Sequence, residues 1–212
     1  MCDLGGVLHD HGAGEDEYVL DTPFVREIVA GVRGCINGAA GPEEACAAAS
    51  PLFDRLMRER AWLPPEFLEP SWDSGMGGGI GQWLIFRSGA RDLCLFSLVV
   101  PPGAMTPIHD HLAWGLIGLY RGNQDEEIYR PGEGTIDLAR RRPLEPGDFY
   151  ALLPPRDDVH RVRTTSAEAS VSIHLLANDT GCVLRHTYDE VTGEASPFRS
   201  GYVNAICEDT AA

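Results

Sequence analysis

The sequence predicts a mainly β protein, an all-β sandwich or barrel preceded by a short helical segment. From Trp83 onward, short β-rich runs recur: WLIF, LCLFSLVV, WGLIGLY, EEIY, GTIDLA, DFYALL, HRVRTT and SVSIHLL, with Gly and Pro between them. Many short strands joined by turn signals are the pattern of a closed or double sheet. Helix-spaced apolar positions, by contrast, are confined to the region before Pro64. A length of 212 residues fits a single medium domain with a substantial core.

Taken in order, residues 1–21 are rich in Gly, Asp and Glu and are expected to be a mobile segment. Residues 22–70 are expected to be helices packed on the barrel. Thr22-Pro23 reads as a helix start, a capping hydroxyl before a proline at the first helical position. Phe24, Val25, Ile28, Val29 and Val32 follow as one apolar stripe. Gly41-Pro42-Glu43-Glu44 opens a second helix, and Ser50-Pro51 a third with Leu52, Phe53, Leu56 and Met57 on its inner face. Residues 71–212 are expected to be the barrel with a C-terminal extension. Its GMGGGIG stretch, Gly75 to Gly81, reads as a connection and not as a phosphate cradle, since no strand–loop–helix context surrounds it. The run Arg140-Arg141-Arg142 reads as a solvated turn.

Charge and composition narrow the function. All 17 basic residues are arginine, which excludes a Schiff-base lysine or a phosphate-loop lysine. The net charge of −15 disfavours nucleic acid and anionic lipid surfaces as partners. No apolar run is long enough for a membrane span, and the first residues lack the features of a secretory signal. The six cysteines show no CxxC pair and are read as free thiols in a reducing cytoplasm, Cys94 and Cys182 as small core residues.

The histidines carry the chemistry. His109-Asp110-His111 on a strand would project two imidazoles from one face, within reach of one metal ion. His160 heads a distant strand candidate and offers a third. His9-Asp10-His11 repeats the pattern without a frame and reads as a solvated coincidence. The frame Gly103, His109-x-His111, Gly115, Gly122 resembles the first cupin motif, and Pro146-Gly147-Asp148 with Pro155 and His160 resembles the second. That resemblance implies a cupin, a double-stranded β-helix or jelly-roll barrel. The first motif's usual glutamate is Gly115 here, so the metal would have three neutral imidazoles, a set that suits Zn, Cu, Fe or Ni.

The stretches PPGAMTPIHDHLAWGLIGLYRG (101–122), PGDFYALLPPRDDVHRV (146–162), SVSIHLL (170–176), GCVLRHTYDEVTGE (181–194) and PFRSGY (197–202) resemble the thiol dioxygenases, the cysteine dioxygenase family of iron cupins. They are most like the bacterial 3-mercaptopropionate dioxygenase branch. The resemblance implies Fe(II) on His109, His111 and His160, and oxidation of a small thiol carboxylate by dioxygen to the sulfinic acid. It implies an outer-sphere pair in Ser172 and His174, which alternation also places on one strand face. It implies carboxylate recognition by Arg185 with Gln82 beside it; a guanidinium fork suits a carboxylate. Trp114 is expected to line the pocket wall. The family's triad tyrosine is Leu176 in this chain, and leucine can neither donate a hydrogen bond nor a proton. Tyr120, Tyr150 and Tyr188 could replace that phenol in space, though spacing favours none of them. Two other readings stay open: an iron cupin oxygenase acting on a non-thiol chelating substrate, and a metal-binding cupin without redox turnover.

Overall fold

The computed structural model describes residues 14–207. Two helices, α1 (Pro23–Gly38) and α2 (Pro42–Arg58), precede the barrel and are followed by a short 3-10 turn, Pro65–Leu68. Among the described residues twelve strands are formed: β1 (Glu17–Tyr18), β2 (Gly81–Arg87), β3 (Cys94–Val100), β4 (Ile108–His109), β5 (Gly115–Arg121), β6 (Gln124–Gly132), β7 (Thr135–Leu144), β8 (Phe149–Leu152), β9 (His160–Thr164), β10 (Ser170–Leu176), β11 (Arg185–Tyr188) and β12 (Ala195–Phe198). They make two six-stranded sheets, ordered β1-β2-β3-β10-β5-β8 and β12-β11-β4-β9-β6-β7. The pairings within both sheets are antiparallel.

The first sheet is buried on both faces, and strand alternation sorts its side chains. On β3, Phe96, Leu98 and Val100 belong to the barrel interior, while Leu95 and Val99 pack with the helices. On β10, Val171, Ile173 and Leu175 join the helix-side core, leaving Ser172, His174 and Leu176 on the inner face. The helices contribute Val25, Ile28, Val29, Val32, Phe53, Leu56 and Met57 to that outer core. Each such fully buried aliphatic side chain contributes roughly 1.5–3 kcal/mol. Close packing of α2 on β5 demands a glycine: a Cβ on Gly118 would lie 2.6 Å from the Met57 sulfur and 2.7 Å from Phe149.

The start of α1 matches expectation, Thr22 accepting the Val25 N–H at 3.2 Å with Pro23 just inside. The third helix does not exist as a separate element. Ser50-Pro51 lies inside α2, which runs unbroken to Arg58. Proline there forfeits a bond to the carbonyl of Ala47, an exposed residue, so the loss falls on the solvated side. The mobile segment expected over 1–21 is not borne out for residues 14–21. Glu17–Tyr18 pairs with β2, Asp16 is bound by Arg33 and Glu17 by Arg87. Residues 1–13, with His9 and His11, lie outside the described residues.

Two further expectations are overturned. Arg140-Arg141-Arg142 is mid-strand in β7, not a turn; its guanidiniums pair with Asp157, Glu127 and Glu126. Cys182 is joined to Cys207 in a disulfide, so not all the cysteines are free thiols; Cys35, Cys46 and Cys94 are. Disulfides persist in oxidising surroundings, which removes the argument for a reducing compartment. The bridge ties down a C-terminal segment that also satisfies the free edge of β2. The Asn204 side chain accepts from the Leu84 N–H at 2.8 Å and donates to its carbonyl at 2.9 Å. Among the described residues no helix is long and apolar enough to cross a membrane.

Candidate metal centre

His109 and His160 face each other directly across the β4–β9 pairing. His111 follows β4 in the loop, where Leu112 adopts a positive φ of 50° as the chain turns away. Strand β4 is only two residues long and carries His109 alone, so the expectation that one strand holds both histidines fails, yet His109 and His111 both reach the centre. The three imidazoles have ring centroids 5.0, 5.0 and 4.8 Å apart, and their ligating atoms lie within 4.8 Å of one another. All three are 2% exposed or less.

Their outer nitrogens fix which atom faces inward. His109 Nδ1 lies 2.9 Å from the Pro107 carbonyl, an acceptor only, so Nδ1 carries the proton and Nε2 offers its lone pair. His111 Nδ1 lies 3.1 Å from Asp158 Oδ1, which also accepts the His111 backbone N–H at 2.9 Å. His160 Nδ1 is buried and has no hydrogen-bond partner; Glu126 Oε1 stands 3.8 Å from it. Burial, helped by Arg185 near His109 and by His111 near both, pushes the pKa of His109 and of His160 well below the usual histidine value. Imidazoles held neutral need lose no proton to bind a metal. These donors fit a divalent transition metal with vacant positions.

Gly115 explains why no carboxylate completes the set. A Cβ there would lie 2.1 Å from the Leu175 carbonyl oxygen and 2.9 Å from Leu176 Cα, against a backbone φ of 158°. No glutamate can stand at that position without opening the β5–β10 pairing.

The opposite wall comes from the first sheet. His174 is stacked on Phe96 at 4.6 Å, accepts from or donates to Ser172 Oγ at 3.0 Å through Nε2, and leaves its buried Nδ1 without a partner. Its ring centroid is 6.3 Å from that of His111. Desolvation lowers its pKa well below the ordinary value, with His111 and Arg185 adding to the effect. Gln82 is 1% exposed and its amide nitrogen has no partner. Arg185, 2% exposed, donates to the carbonyls of Thr180 and Asp110 and to Ser200 Oγ, at 3.1, 2.6 and 2.8 Å. Those bonds use one N–H on each nitrogen, which leaves a second N–H on each terminal nitrogen. Burial lowers its pKa to about 10, still a cation at neutral pH.

Leu176 is fully buried on the same inner face as His174. Trp114 sits elsewhere: its side chain packs against the helix-side core and lines an outer cleft with Pro42, Glu43 and Leu153. No tyrosine among Tyr120, Tyr150 and Tyr188 offers a free phenol. Their hydroxyls donate to the Glu59 and Arg60 carbonyls, to Glu126 and to Asp110 respectively.

Sequence reasoning missed the groups behind the ligands. Asp158 precedes His160 by two residues yet serves His111, and Asp110 between the two histidines anchors β11 by accepting from the His186 N–H and Nδ1, both at 2.8 Å, and the Tyr188 hydroxyl. Acidic residues beside histidines were the available signal. Glu126 is 1% exposed; burial raises its pKa to about 7 even though it accepts from Tyr150 at 2.6 Å and Arg142 at 3.1 Å.

Two antiparallel sheets closed face to face, with two histidines from adjacent strands of one and a third from the loop that follows brought together between them, decide the architecture. The fold is a cupin barrel. No family model matches the chain. Among solved structures it resembles a Klebsiella pneumoniae protein with a double-stranded β-helix domain (17% identity, 57% of this chain and 92% of that one, TM-score 0.40). It also resembles a cupin 2 conserved barrel domain protein from Salinispora arenicola (16%, 50% and 82%, TM-score 0.38). A third likeness, to Lactobacillus farciminis oxalate decarboxylase in a formate complex, has 18% identity and TM-score 0.35, over 42% of this chain. The chain spans only 25% of that enzyme. Likenesses this distant carry no information on ligand or reaction.

Proposed function

We propose that this cupin is an Fe(II)-dependent thiol dioxygenase acting on a small thiol carboxylate of the 3-mercaptopropionate or cysteine type. The observation that carries the reading is the pairing of an all-imidazole centre with a buried arginine beside it. A carboxylate ligand would neutralise part of the metal's charge; its absence favours an anionic sulfur donor. Arg185 and the unpartnered Gln82 amide supply donors for the far end of the substrate. Fe(II), when bound by His109, His111 and His160, supplies electrons to dioxygen and lowers the pKa of a thiol. The net reaction is R–SH + O2 → R–SO2H, in which sulfur gives up four electrons and both oxygen atoms become bonded to it.

The protein's own groups do the rest. Arg185 fixes the carboxylate and so the distance and angle of the sulfur. His174, held by Ser172 and stacked on Phe96, presents a neutral imidazole beside His111, where it can exchange a hydrogen bond with oxygen or water. Buried walls of Leu176, Phe96 and Leu98 keep bulk water out. Small-molecule thiol and dioxygen are the partners this reading requires.

The test is oxygen consumption by the iron-loaded protein with 3-mercaptopropionate, cysteine, cysteamine and mercaptosuccinate, with mass spectrometry of each product. Uptake with a gain of two oxygen atoms in a carboxylate thiol is the expected result. Leu176, and the engagement of the candidate phenols elsewhere, favour one alternative: an oxygenase for a non-thiol chelating substrate. Iron-loaded protein that consumes no oxygen with any thiol would select it.

A further inference from the structure

We propose that Glu126 is a positioning residue for His160, accepting its Nδ1–H when the centre holds a metal and held in place for that task by Tyr150 and Arg142. The inference rests on the metal-binding part of the function proposed above and is independent of the thiol chemistry.

The argument begins from an asymmetry. Of the three imidazoles, His109 has its outer nitrogen on a carbonyl and His111 has its own on a carboxylate. His160 Nδ1 has neither, although it is buried. An imidazole whose Nε2 lone pair goes to a metal must carry its proton on Nδ1, and a buried N–H without an acceptor is destabilising. The carboxylate oxygen Glu126 Oε1, at 3.8 Å, faces that nitrogen. Glu126 lies on β6 beside β9, two residues from Ile128, the register partner of His160. Side-chain rotation of about 1 Å would bring the pair to ordinary hydrogen-bond length.

A buried carboxylate is expensive to keep unless something uses it. Glu126 is held from two sides. Tyr150, from β8 on the opposite sheet, donates to the same Oε1 at 2.6 Å, and Arg142 from β7 donates to Oε2 at 3.1 Å. The Arg142 guanidinium lies over the Tyr150 ring at 3.8 Å, which locks both partners. Tyr150 therefore links the two sheets through the carboxylate and keeps Oε1 on the side of His160. The arrangement is a phenol–carboxylate–imidazole line. Its effect is to fix the His160 tautomer and ring plane and to raise the basicity of that ligand.

Zinc affinity of the full chain, measured by competition with a chromophoric chelator, tests this directly. Glu126→Ala is expected to weaken Zn2+ binding about 10- to 100-fold, the usual loss for an outer-sphere partner of a metal ligand. Glu126→Gln, whose amide oxygen still accepts the N–H, should lose less than about 10-fold, and Tyr150→Phe should fall nearer the native value. Zinc affinity of Glu126→Ala within about twofold of the native protein overturns the proposal, even if its melting temperature drops, because a merely structural role would lower stability alone. Should Glu126→Ala not fold, 15N-histidine NMR on the native chain and Glu126→Gln decides. The His160 Nδ1–H must become slow to exchange on adding Zn2+, and faster in the glutamine variant; unchanged exchange overturns the proposal. If the native chain binds no Zn2+, the metal centre itself fails, and this inference with it.

Discussion

The two sheets of this barrel are made from similar strands but live in different surroundings. The first is covered by α1 and α2 on one face and closed by the barrel on the other, so β3 and β10 are buried along their whole length. Its outer face is apolar. The second has one wet face, and its strands hold charges there. Glu127 is bound by Arg141 and Arg161, Arg161 also by Glu190, and Asp125 by Arg163. The three clustered histidines come from the second sheet and its loop, whereas Ser172, His174, Gln82 and Leu176 come from the first. The difference teaches how the work is divided. The sheet clamped by helices supplies a rigid wall with few polar groups, and the sheet open to water supplies a polar framework able to carry ligands with their supporting carboxylates.

Removing a ligand should have the largest effect. His160→Ala is expected to lower metal affinity more than about 100-fold, beyond the range of supporting groups, as read from metal content after gel filtration. Native metal content in this variant would remove His160 from the centre. On the covered sheet, Ile173→Ala should cost about 2–5 kcal/mol in urea unfolding, since the side chain is fully buried against the helices. Over the wet face, Glu190→Ala in the turn between β11 and β12 should cost no more than about 1 kcal/mol, because its pairing with Arg161 of β9 is solvated at the glutamate. Equal losses in those two variants would break the contrast between the sheets.

Two measurements address the buried polar groups between them. Arg185→Gln should raise KM for carboxylate thiols about 10- to 100-fold while leaving cysteamine nearly unaffected, a loss in the range of one charged hydrogen bond. Equal losses for both would make Arg185 structural. The pH dependence of the metal-free protein follows from groups on both sides. His109, His160 and His174 have lowered pKa values, so the unfolded chain takes up their protons first, near pH 6.5, and stability falls as pH drops below that point. Glu126 acts oppositely: raised from 4.5 to about 7, it holds its proton in the fold, and its contribution is lost as pH rises through that window. Three groups against one make the net change a loss on acidification. The urea midpoint should be lower at about pH 5.5 than at about pH 7.5.

The long strands, the capped start of α1 and the clustering of His109, His111 and His160 were legible in the sequence. Alternation, a Thr-Pro start and the glycine-framed histidines are local signals, and the forces behind them act over a few residues. What stayed hidden depends on partners far along the chain. Strands β4, β11 and β12 are too short or too polar to announce themselves; β12 even contains Pro197. They exist because neighbouring strands lend them hydrogen bonds. The arginine run looked like a solvated turn because nothing local reveals that Glu126, Glu127 and Asp157 wait on adjacent segments.

By itself, then, the sequence determined that Ser172, His174 and Leu176 share one face of β10 and which three imidazoles could share one ion, because period-2 alternation and motif spacing are properties of contiguous chain. Only the tertiary structure decided the rest: Cys182 with Cys207, Asp158 with His111, Glu126 facing His160, and Trp114 on the outer side. Pairings of this kind are set by how two sheets close on each other, and a buried polar group takes whichever partner that closure brings within reach.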